Sequence, residues 1–179
     1  YSVNEYQAGA LVSKGISALG TKFRAGMLQN QNSGSGHTGF ISVMATENNT
    51  TVNFDLQDGI QTTGGQNDHS VILNKFQSYF IANTSNLNSL IGSLVTSDKP
   101  IAVNVGAFGS FYSADGQDYG MDQIVDATLV GSEYIFIKGI ASNTIESVLI
   151  VADQDNTEIN INDEGTISTL NSGDYLILK

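Results

Sequence analysis

Apolar and polar positions are distributed along this chain in a way that predicts short strands joined by polar turns. Between Phe40 and Phe54, two runs rich in β-branched residues flank a polar cluster at 47–50, Glu-Asn-Asn-Thr. Apolar and polar residues alternate along the second run, which is typical of a half-buried strand. A small polar cluster between two such runs predicts a turn between paired strands. We therefore expect a β-hairpin over residues 40–54.

A second segment, residues 147–161, repeats this pattern near the other end of the chain. The aligned pairs are Ala45 with Ala152, Asn49 with Asn156, Thr50 with Thr157, and Val52 with Ile159. Two further blocks repeat in the same order: residues 18–23 match 129–134, and residues 77–81 match 172–177. Three matched blocks in one order indicate an internal duplication.

The duplication divides the chain into a lead-in (residues 1–19), a first β unit (20–127) and a second, partial β unit (128–179). One continuous domain is the alternative division. The second copy stops where the first continues into Ser97-Asp-Lys-Pro100. We expect that the sequence is a piece of a longer protein, or that another segment completes the second unit.

The sequence of one segment in the first unit is compatible with two structures. Leu87, Leu90, Ile91 and Leu94 have helical spacing, which predicts a short helix. The competing prediction is a strand over 90–96 that turns at 97–100 into a second strand over 101–105. Alternating apolar residues after the turn favour the strand pair.

The fold class that follows is all-β, as a β-sandwich of antiparallel hairpins with an internal duplication. The 19 glycines and the single proline fit many short strands joined by tight turns better than they fit helices.

Charge and composition exclude several classes of function. The 18 acidic residues outnumber the 7 basic ones, which gives a net charge of −11. Nucleic-acid binding needs clustered Lys and Arg, so we expect no nucleic-acid partner. No apolar run approaches the length of about 20 residues that spans a membrane, so we expect no membrane insertion. Cysteine is absent, which excludes thiolate chemistry and disulfides.

Catalytic chemistry has no support in the residue pattern. His37 and His69 are the only histidines, and both lie in predicted loops. No Gly-x-Ser-x-Gly nucleophile motif accompanies them. We therefore expect that the protein is not an enzyme.

A cluster of oxygen ligands gives one candidate metal site. Asp153, Asp155 and Glu158 lie in the polar part of the repeated segment 147–161. Calcium prefers flexible sets of oxygen ligands, which these side chains could provide. The alternative is an ordinary turn, since Asp and Asn tolerate left-handed backbone and cap neighbouring amides. Calcium is the only candidate cofactor. If the turn binds no calcium, we expect no cofactor.

A loop between the two units gives the candidate recognition site. Residues 108–123 combine aromatic, glycine and acidic residues without a clean period. Phe111, Tyr112 and Tyr119 are the candidate ligand-binding residues, because aromatic faces suit sugar rings or a protein partner. The alternative is a loop whose aromatic residues complete the core.

Several motifs resemble the IgGFc-binding-protein N-terminal domain family. They are residues 18–23 (ALGTKF), 43–52 (VMATENNTTV), 97–103 (SDKPIAV), 122–125 (DQIV) with 131–134 (GSEY), and 150–158 (IVADQDNTE). The chain departs from the animal members by lacking cysteine, and in this it is similar to a bacterial, Flavobacterium-type branch. That resemblance implies a secreted or cell-surface protein. Large proteins of this branch often carry a sorting domain of the type IX secretion system. The family has no catalytic residues that could be assigned to positions of this chain.

Together these observations predict a non-catalytic extracellular domain of a bacterial surface protein, acting in adhesion or as a structural module. The alternative is a carbohydrate-binding module, assisted by calcium. The expected partners are an extracellular protein or glycan, or other domains of the same long chain.

Overall fold

The computed structural model describes residues 2–3, 8–27, 38–57, 60–66, 68–83, 90–110, 118–140, 147–162 and 164–178. Within them the chain forms two 3-10 turns, Gly15–Ala18 and Ala127–Leu129, and fifteen strands. The strands are β1 (Ser2–Val3), β2 (Ala8–Val12), β3 (Gly20–Arg24), β4 (Thr38–Ala45), β5 (Thr50–Asp55), β6 (Gln61–Thr62), β7 (Gly65–Gln66), β8 (His69–Leu73), β9 (Ser78–Ala82), β10 (Leu94–Ser110), β11 (Asp118–Ile124), β12 (Val148–Val151), β13 (Thr157–Asn160), β14 (Thr166–Leu170) and β15 (Tyr175–Leu178).

The long strand β10 is the centre of the larger sheet. On one side it pairs first with β3 and then with β11, and on the other side first with β5 and then with β4. All four pairings are antiparallel. The neighbours change at residues 97–100, where the register against β3 shifts. This irregularity allows one strand to serve both halves of the sheet.

The expected turn at residues 97–100 is therefore wrong. The chain runs through Ser97 and Pro100 as one strand, because an irregular stretch there takes up the extra residues without reversing the direction. Proline lacks a backbone N–H and is tolerated in a sheet at such a bulge. Leu90 and Ile91 are buried in a turn before the strand and not in the alternative helix, whose first residue, Leu87, lies outside the described residues.

The hairpin predicted over residues 40–54 is also wrong. β4 and β5 both run antiparallel to β10 in the same direction, with Ala45 opposite Ile101 and Val52 opposite Ser97. The chain bends at the polar cluster between them, so that β4 lies in one half of the sheet and β5 in the other. β9 and β8 follow the same path, because β9 pairs with β4 and β8 pairs with β5. We call these adjacent bends, residues 46–49 and 74–77, the first arch.

Local hydrogen bonds explain why the polar residues bend the chain here. Asn49 has a left-handed backbone (φ 53°), which asparagine tolerates better than most residues. The Thr50 hydroxyl donates to the Glu47 carbonyl at 2.9 Å, and the Asn49 amide donates to the Asn74 side chain at 3.3 Å. The bends therefore bind each other, and neither needs a chain reversal to satisfy its amides.

The two halves of the bent sheet enclose one apolar core, which confirms the all-β sandwich. Inward-facing side chains come from β3, β4, β5, β8, β9 and both parts of β10. The largest of them that are fully buried are Phe23, Ile41, Val43, Val52, Phe54, Ile81, Val95, Ile101 and Val103.

The second unit repeats the bent ribbon, which confirms the internal duplication. β12 pairs with β15 and β13 pairs with β14, as β4 pairs with β9 and β5 with β8. We call its bends, residues 153–156 and 171–174, the second arch.

Matching hydrogen bonds relate the two arches atom by atom. The Ala152 amide donates to Asp174 as the Ala45 amide donates to Gln77, both at 3.0 Å. Asn156 has φ 57°, close to the value for Asn49. This correspondence places Tyr175 at the position of Ser78. The domain boundaries at 19/20 and 127/128 stay a prediction.

Side chains of β12 attach the second unit to the first. Leu149 and Val151 pack against the large core, and Gly26 makes room for them. A Cβ atom at Gly26 would lie 3.2 Å from Val151 Cγ2. The smaller core of the second unit consists of Ala152, Ile159 and Leu170.

Replacement of Asn49 tests whether the left-handed bend matters. Asn49→Ala should lower the free energy of unfolding by about 1 kcal/mol, because alanine adopts positive φ less readily. Asn49→Gly is the matched control and should change it little, since glycine allows this backbone. Urea unfolding of both variants measures the difference. Equal stability of the alanine and glycine variants would contradict this account of the arch.

Candidate functional site

Three phenylalanines form an aromatic cluster on the outer face of the sheet, in which Phe80 and Phe108 are exposed and Phe40 is buried. Phe40 alternates along β4 with the buried Ile41 and Val43, so its ring lies on the face opposite the core. Its ring centroid lies 5.2 Å from that of Phe80 on β9 and 4.7 Å from that of Phe108 on β10. These separations are typical of favourable aromatic pairs.

A shallow cavity of about 310 Å³ surrounds this cluster. Its lining residues, which we call the aromatic patch, are Ala10, Leu11, Phe40, Ser42, Phe80, Ala107, Phe108, Gly120 and Met121. Phe80 and Phe108 are each 44% exposed, and Leu11 is 66% exposed. Ser42 is the one polar side chain of this lining, so the patch presents apolar surface to solvent.

Close packing beneath the patch requires glycine at position 106. A Cβ atom there would lie 2.5 Å from Phe40 Cζ and 2.4 Å from the Gly120 carbonyl. A larger residue would displace the Phe40 ring or separate β10 from β11. The glycine therefore allows the phenylalanine ring to lie flat across the sheet.

The loop predicted over residues 108–123 is wrong at both ends, because Phe108 lies in β10 and Asp118–Ile124 form β11. Phe108 and Gly120, from these two strands, line the cavity. Phe111 and Tyr112 lie outside the described residues, and of Tyr119 the structure describes only the backbone, which pairs with Gly9. Their role in ligand binding stays a prediction.

Sequence reasoning missed the residues of the patch itself. The pattern assigns Phe40 and Phe80 to strands, where apolar residues are expected in the core. The available signal is that each directly precedes a core isoleucine, Ile41 or Ile81, so successive residues of one strand are apolar on both faces. A two-sided apolar strand that forms only one core leaves an apolar outer surface.

The three predicted metal ligands are separately engaged with protein groups. Asp153 accepts from Lys22 Nζ at 2.8 Å and lies 3.4 Å from Arg24 Nη2. Asp155 accepts the Ser172 amide at 3.0 Å, and Glu158 lies 3.4 Å from the Thr166 hydroxyl. Among the described residues, no group of three or more His, Asp or Glu side chains is arranged to hold a metal ion. The calcium site stays a prediction.

The described histidine is part of the packing between strands. His69 lies in β8, so its predicted location in a loop is wrong. Its ring stacks on Phe54 with a centroid distance of 4.9 Å, since the two residues are cross-strand partners. His37 lies outside the described residues.

A buried carboxylate joins the start of β3 to the beginning of the second unit. Asp126 accepts the amides of Thr21 at 2.6 Å and Lys22 at 3.0 Å, and it also caps the 3-10 turn at Thr128. Burial raises the pKa of Asp126, but hydrogen bonds from Thr128, Lys22 and Thr21 together outweigh this effect. The pKa therefore lies below its ordinary value of 3.8.

The fold is that of an all-β domain, and comparison with known families gives its class. A family model described as IgGFc binding protein matches residues 9–179, and the chain belongs to this family. The family is one of binding domains that are typically extracellular. No curated protein and no solved structure matches the chain.

The described part of the chain contains no helix that is long and apolar enough to cross a membrane.

Replacement of Asp126 should show the role of the ionised carboxylate. Asp126→Asn should lower the free energy of unfolding near neutral pH by about 1–3 kcal/mol, because it weakens hydrogen bonds to buried amides. The pKa of Asp126 is depressed, so its contribution is present above the unfolded-state pKa and is lost as pH falls through the folded-state pKa. The difference between variant and wild type should therefore shrink below about pH 3.8. Urea unfolding at several pH values measures it.

Asp122→Asn is the control for this experiment, because Asp122 forms an exposed ion pair with Lys14. Its effect should stay below about 1 kcal/mol. A stability difference for Asp126→Asn that does not depend on pH would contradict the role of the charge.

Replacement of Asp153 tests ion pairing against calcium binding. Asp153→Ala should cost about 1–3 kcal/mol, because the Arg24 guanidinium is only 13% exposed and loses its carboxylate partner. The more exposed Lys22 should add little. Glu164→Ala, at an exposed position of the same unit, is the control.

Thermal melting of the wild type, Asp153→Ala and Glu164→Ala measures this cost, and the melts are repeated with added calcium. If Asp153 serves only these ion pairs, calcium leaves the wild-type melting temperature unchanged. A calcium-dependent rise that Asp153→Ala abolishes would establish the metal site and contradict the ion-pair account.

Proposed function

We propose that the chain is a non-catalytic domain of a secreted or cell-surface bacterial protein that acts in adhesion. The aromatic patch is the surface that binds the partner, and the partner is an extracellular protein. The single observation that carries this proposal is the pair of exposed rings, Phe80 and Phe108, that pack on the buried Phe40 beside β11. Exposed apolar clusters of this kind mark interaction sites on soluble domains.

The chemistry of the patch favours a protein over a glycan. Sugar recognition uses aromatic rings with hydrogen-bonding groups placed around them. The lining described here offers Ser42 as its only polar side chain. Burial of Phe80 and Phe108 by an apolar partner surface would remove both rings from water, which is how aromatic anchors stabilise protein interfaces.

Composition and resemblance support the bacterial surface assignment. The chain has no cysteine, as in the Flavobacterium-type proteins that its motifs resemble, and export by type IX secretion is part of the proposal. A net charge of −11 keeps such a domain soluble while a local apolar patch stays exposed.

Binding of residues 1–179 to immobilised IgG Fc fragment, mucin, fibronectin and collagen tests the proposal by interferometry, with a glycan array in parallel. We expect saturable binding to a protein of this panel. The variant Phe80→Ser with Phe108→Ser should weaken it at least about tenfold, because it removes both exposed anchors. Ile72→Ser is the control, since Ile72 is apolar surface on β8 outside the patch and is more exposed than either phenylalanine.

Binding that survives loss of both phenylalanines would overturn the patch as the site. Glycan binding without protein binding would support the carbohydrate-binding alternative. In the source bacterium, deletion of the domain should reduce attachment to the same immobilised protein, and unchanged attachment would count against adhesion.

A further inference from the structure

The two units share the bent ribbon but differ in the number of strands that pair with it. In the first unit, β4 and β5 each have two partners: the second strand of the ribbon on one side and β10 on the other. In the second unit, β12 pairs with β15 and β13 with β14. Within the described residues, neither β12 nor β13 has a partner on its other edge.

Burial of the matching side chains shows that the inner face of the second unit is also incompletely covered. Ile41 and Val43 of β4 are fully buried. Their counterparts in β12, Val148 and Ile150, are only half-buried. The same sequence pattern therefore buries less apolar surface in the second unit, where none of the described residues forms a strand equivalent to β10.

A third observation concerns residues 133–137. By the sequence repeat, Tyr134 corresponds to Phe23 on β3, which is fully buried and lies opposite Val95 of β10. Residues 133–137 form no strand pair with the described chain, and Ile135 and Ile137 are 87% and 92% exposed. Tyr134 and Phe136 lie on a common side, with ring centroids 6.3 Å apart.

One missing strand accounts for all three observations. In the first unit, β10 lies between β3 and β5, with Thr96 opposite both Lys22 and Asn53. A strand in the equivalent place would pair with residues 133–137 on one side and with β13 and β12 on the other. We propose that this opening binds an extended peptide segment with the residue pattern of β10, antiparallel to β12 and β13.

The first arch shows what the middle of that segment should contain. The Lys99 ammonium donates to the carbonyls of Asn48 and Asn49, and the Asp98 carboxylate accepts the Thr51 amide at 2.8 Å. These contacts fix the irregular part of β10 onto the arch.

The second arch has acidic residues at the corresponding positions. Asp155 replaces Asn48, Glu158 replaces Thr51, and both are exposed. A basic residue at the position of Lys99 would therefore gain carboxylate contacts that the first arch lacks. The partner segment is apolar and alternating at both ends, as at Val95 and Val103, with a lysine-bearing polar stretch between them.

A synthetic peptide with the sequence of residues 93–108 is the probe, labelled with fluorescein and titrated against residues 1–179. We expect a saturable rise in anisotropy. In the presence of the peptide, amide hydrogen exchange should slow in β12, β13 and residues 133–137, because the added strand provides hydrogen-bond partners for their amides. Absence of saturable binding would overturn the proposal, as would binding that protects other parts of the chain.

Peptide variants make the test independent of protein folding. Val103→Ser in the peptide should weaken binding at least about tenfold, since it places a hydroxyl on the apolar face. Lys99→Glu should weaken it through repulsion by Asp155 and Glu158, more strongly at low salt. Equal affinity of both variants and the parent peptide would overturn the proposed register.

Protein variants test the other side of the opening. Tyr134→Ser with Phe136→Ser should weaken binding of the parent peptide at least about tenfold. Ile16→Ser is the control, because Ile16 is exposed apolar surface in the 3-10 turn Gly15–Ala18, outside the second unit. Light scattering of the chain alone completes the test. A dimer in which the same amides are already protected would mean that a second copy covers the opening and would overturn the proposal.

Discussion

The structure depends on the irregular stretch of β10 at residues 97–100 and its attachment to the first arch. A flat strand of this length would hold β3, β4, β5 and β11 in one open sheet with two exposed faces. Because β10 shifts register where β4 bends into β5, both halves of the sheet turn toward one core. The hydrogen bond from the Thr51 amide to Asp98 and the contacts of Lys99 with the arch carbonyls hold the two bends together.

The same constraint explains the asymmetry between the two copies. Each copy contains the bent ribbon, and each arch is stabilised by its own local bonds, so the arch does not need β10 to form. The core does need it, because β10 supplies Val95, Ile101 and Val103 to the interior. The second copy therefore has a small core of its own and relies on Leu149 and Val151, which pack on the first unit. Asp126 and the ion pairs of Asp153 add polar links between the units.

Local sequence patterns predicted the fold class and the duplication correctly, but they did not predict the direction that the chain takes at the first arch. The alternation of apolar and polar residues around Val52 and the matching Ile159 predicts which face of the strand each side chain occupies. Both side chains are buried in the structure, as the alternation predicts. A left-handed asparagine beside a threonine occurs in a hairpin turn and equally in a bend between sheets, because the local hydrogen bonds are alike. Only the partner strand distinguishes them, and β10 lies more than forty residues further along the chain.

The composition of the aromatic patch could not be predicted from the sequence. Aromatic and glycine residues without a period predicted a recognition loop over residues 108–123, and the described ends of that stretch are strands that contribute Phe108, Gly120 and Met121 to the patch. The patch itself combines residues from β2, β4, β9, β10 and β11, and their proximity follows from strand order, which sequence pattern does not encode. Asp153 shows the opposite case. Its acidic neighbours predicted a cation site, and the cations that meet it are Lys22 and Arg24, more than a hundred residues earlier.

Amide hydrogen exchange of the unliganded chain at residue resolution tests the central claim that β10 completes the first unit and that, among the described residues, no strand takes the equivalent place in the second. The account predicts strong protection for amides of β4 and β5 that face β10. It predicts fast exchange for the corresponding amides of β12 and β13, while their amides that face β15 and β14 are protected. Equal protection on both edges of β12 and β13 would contradict the account.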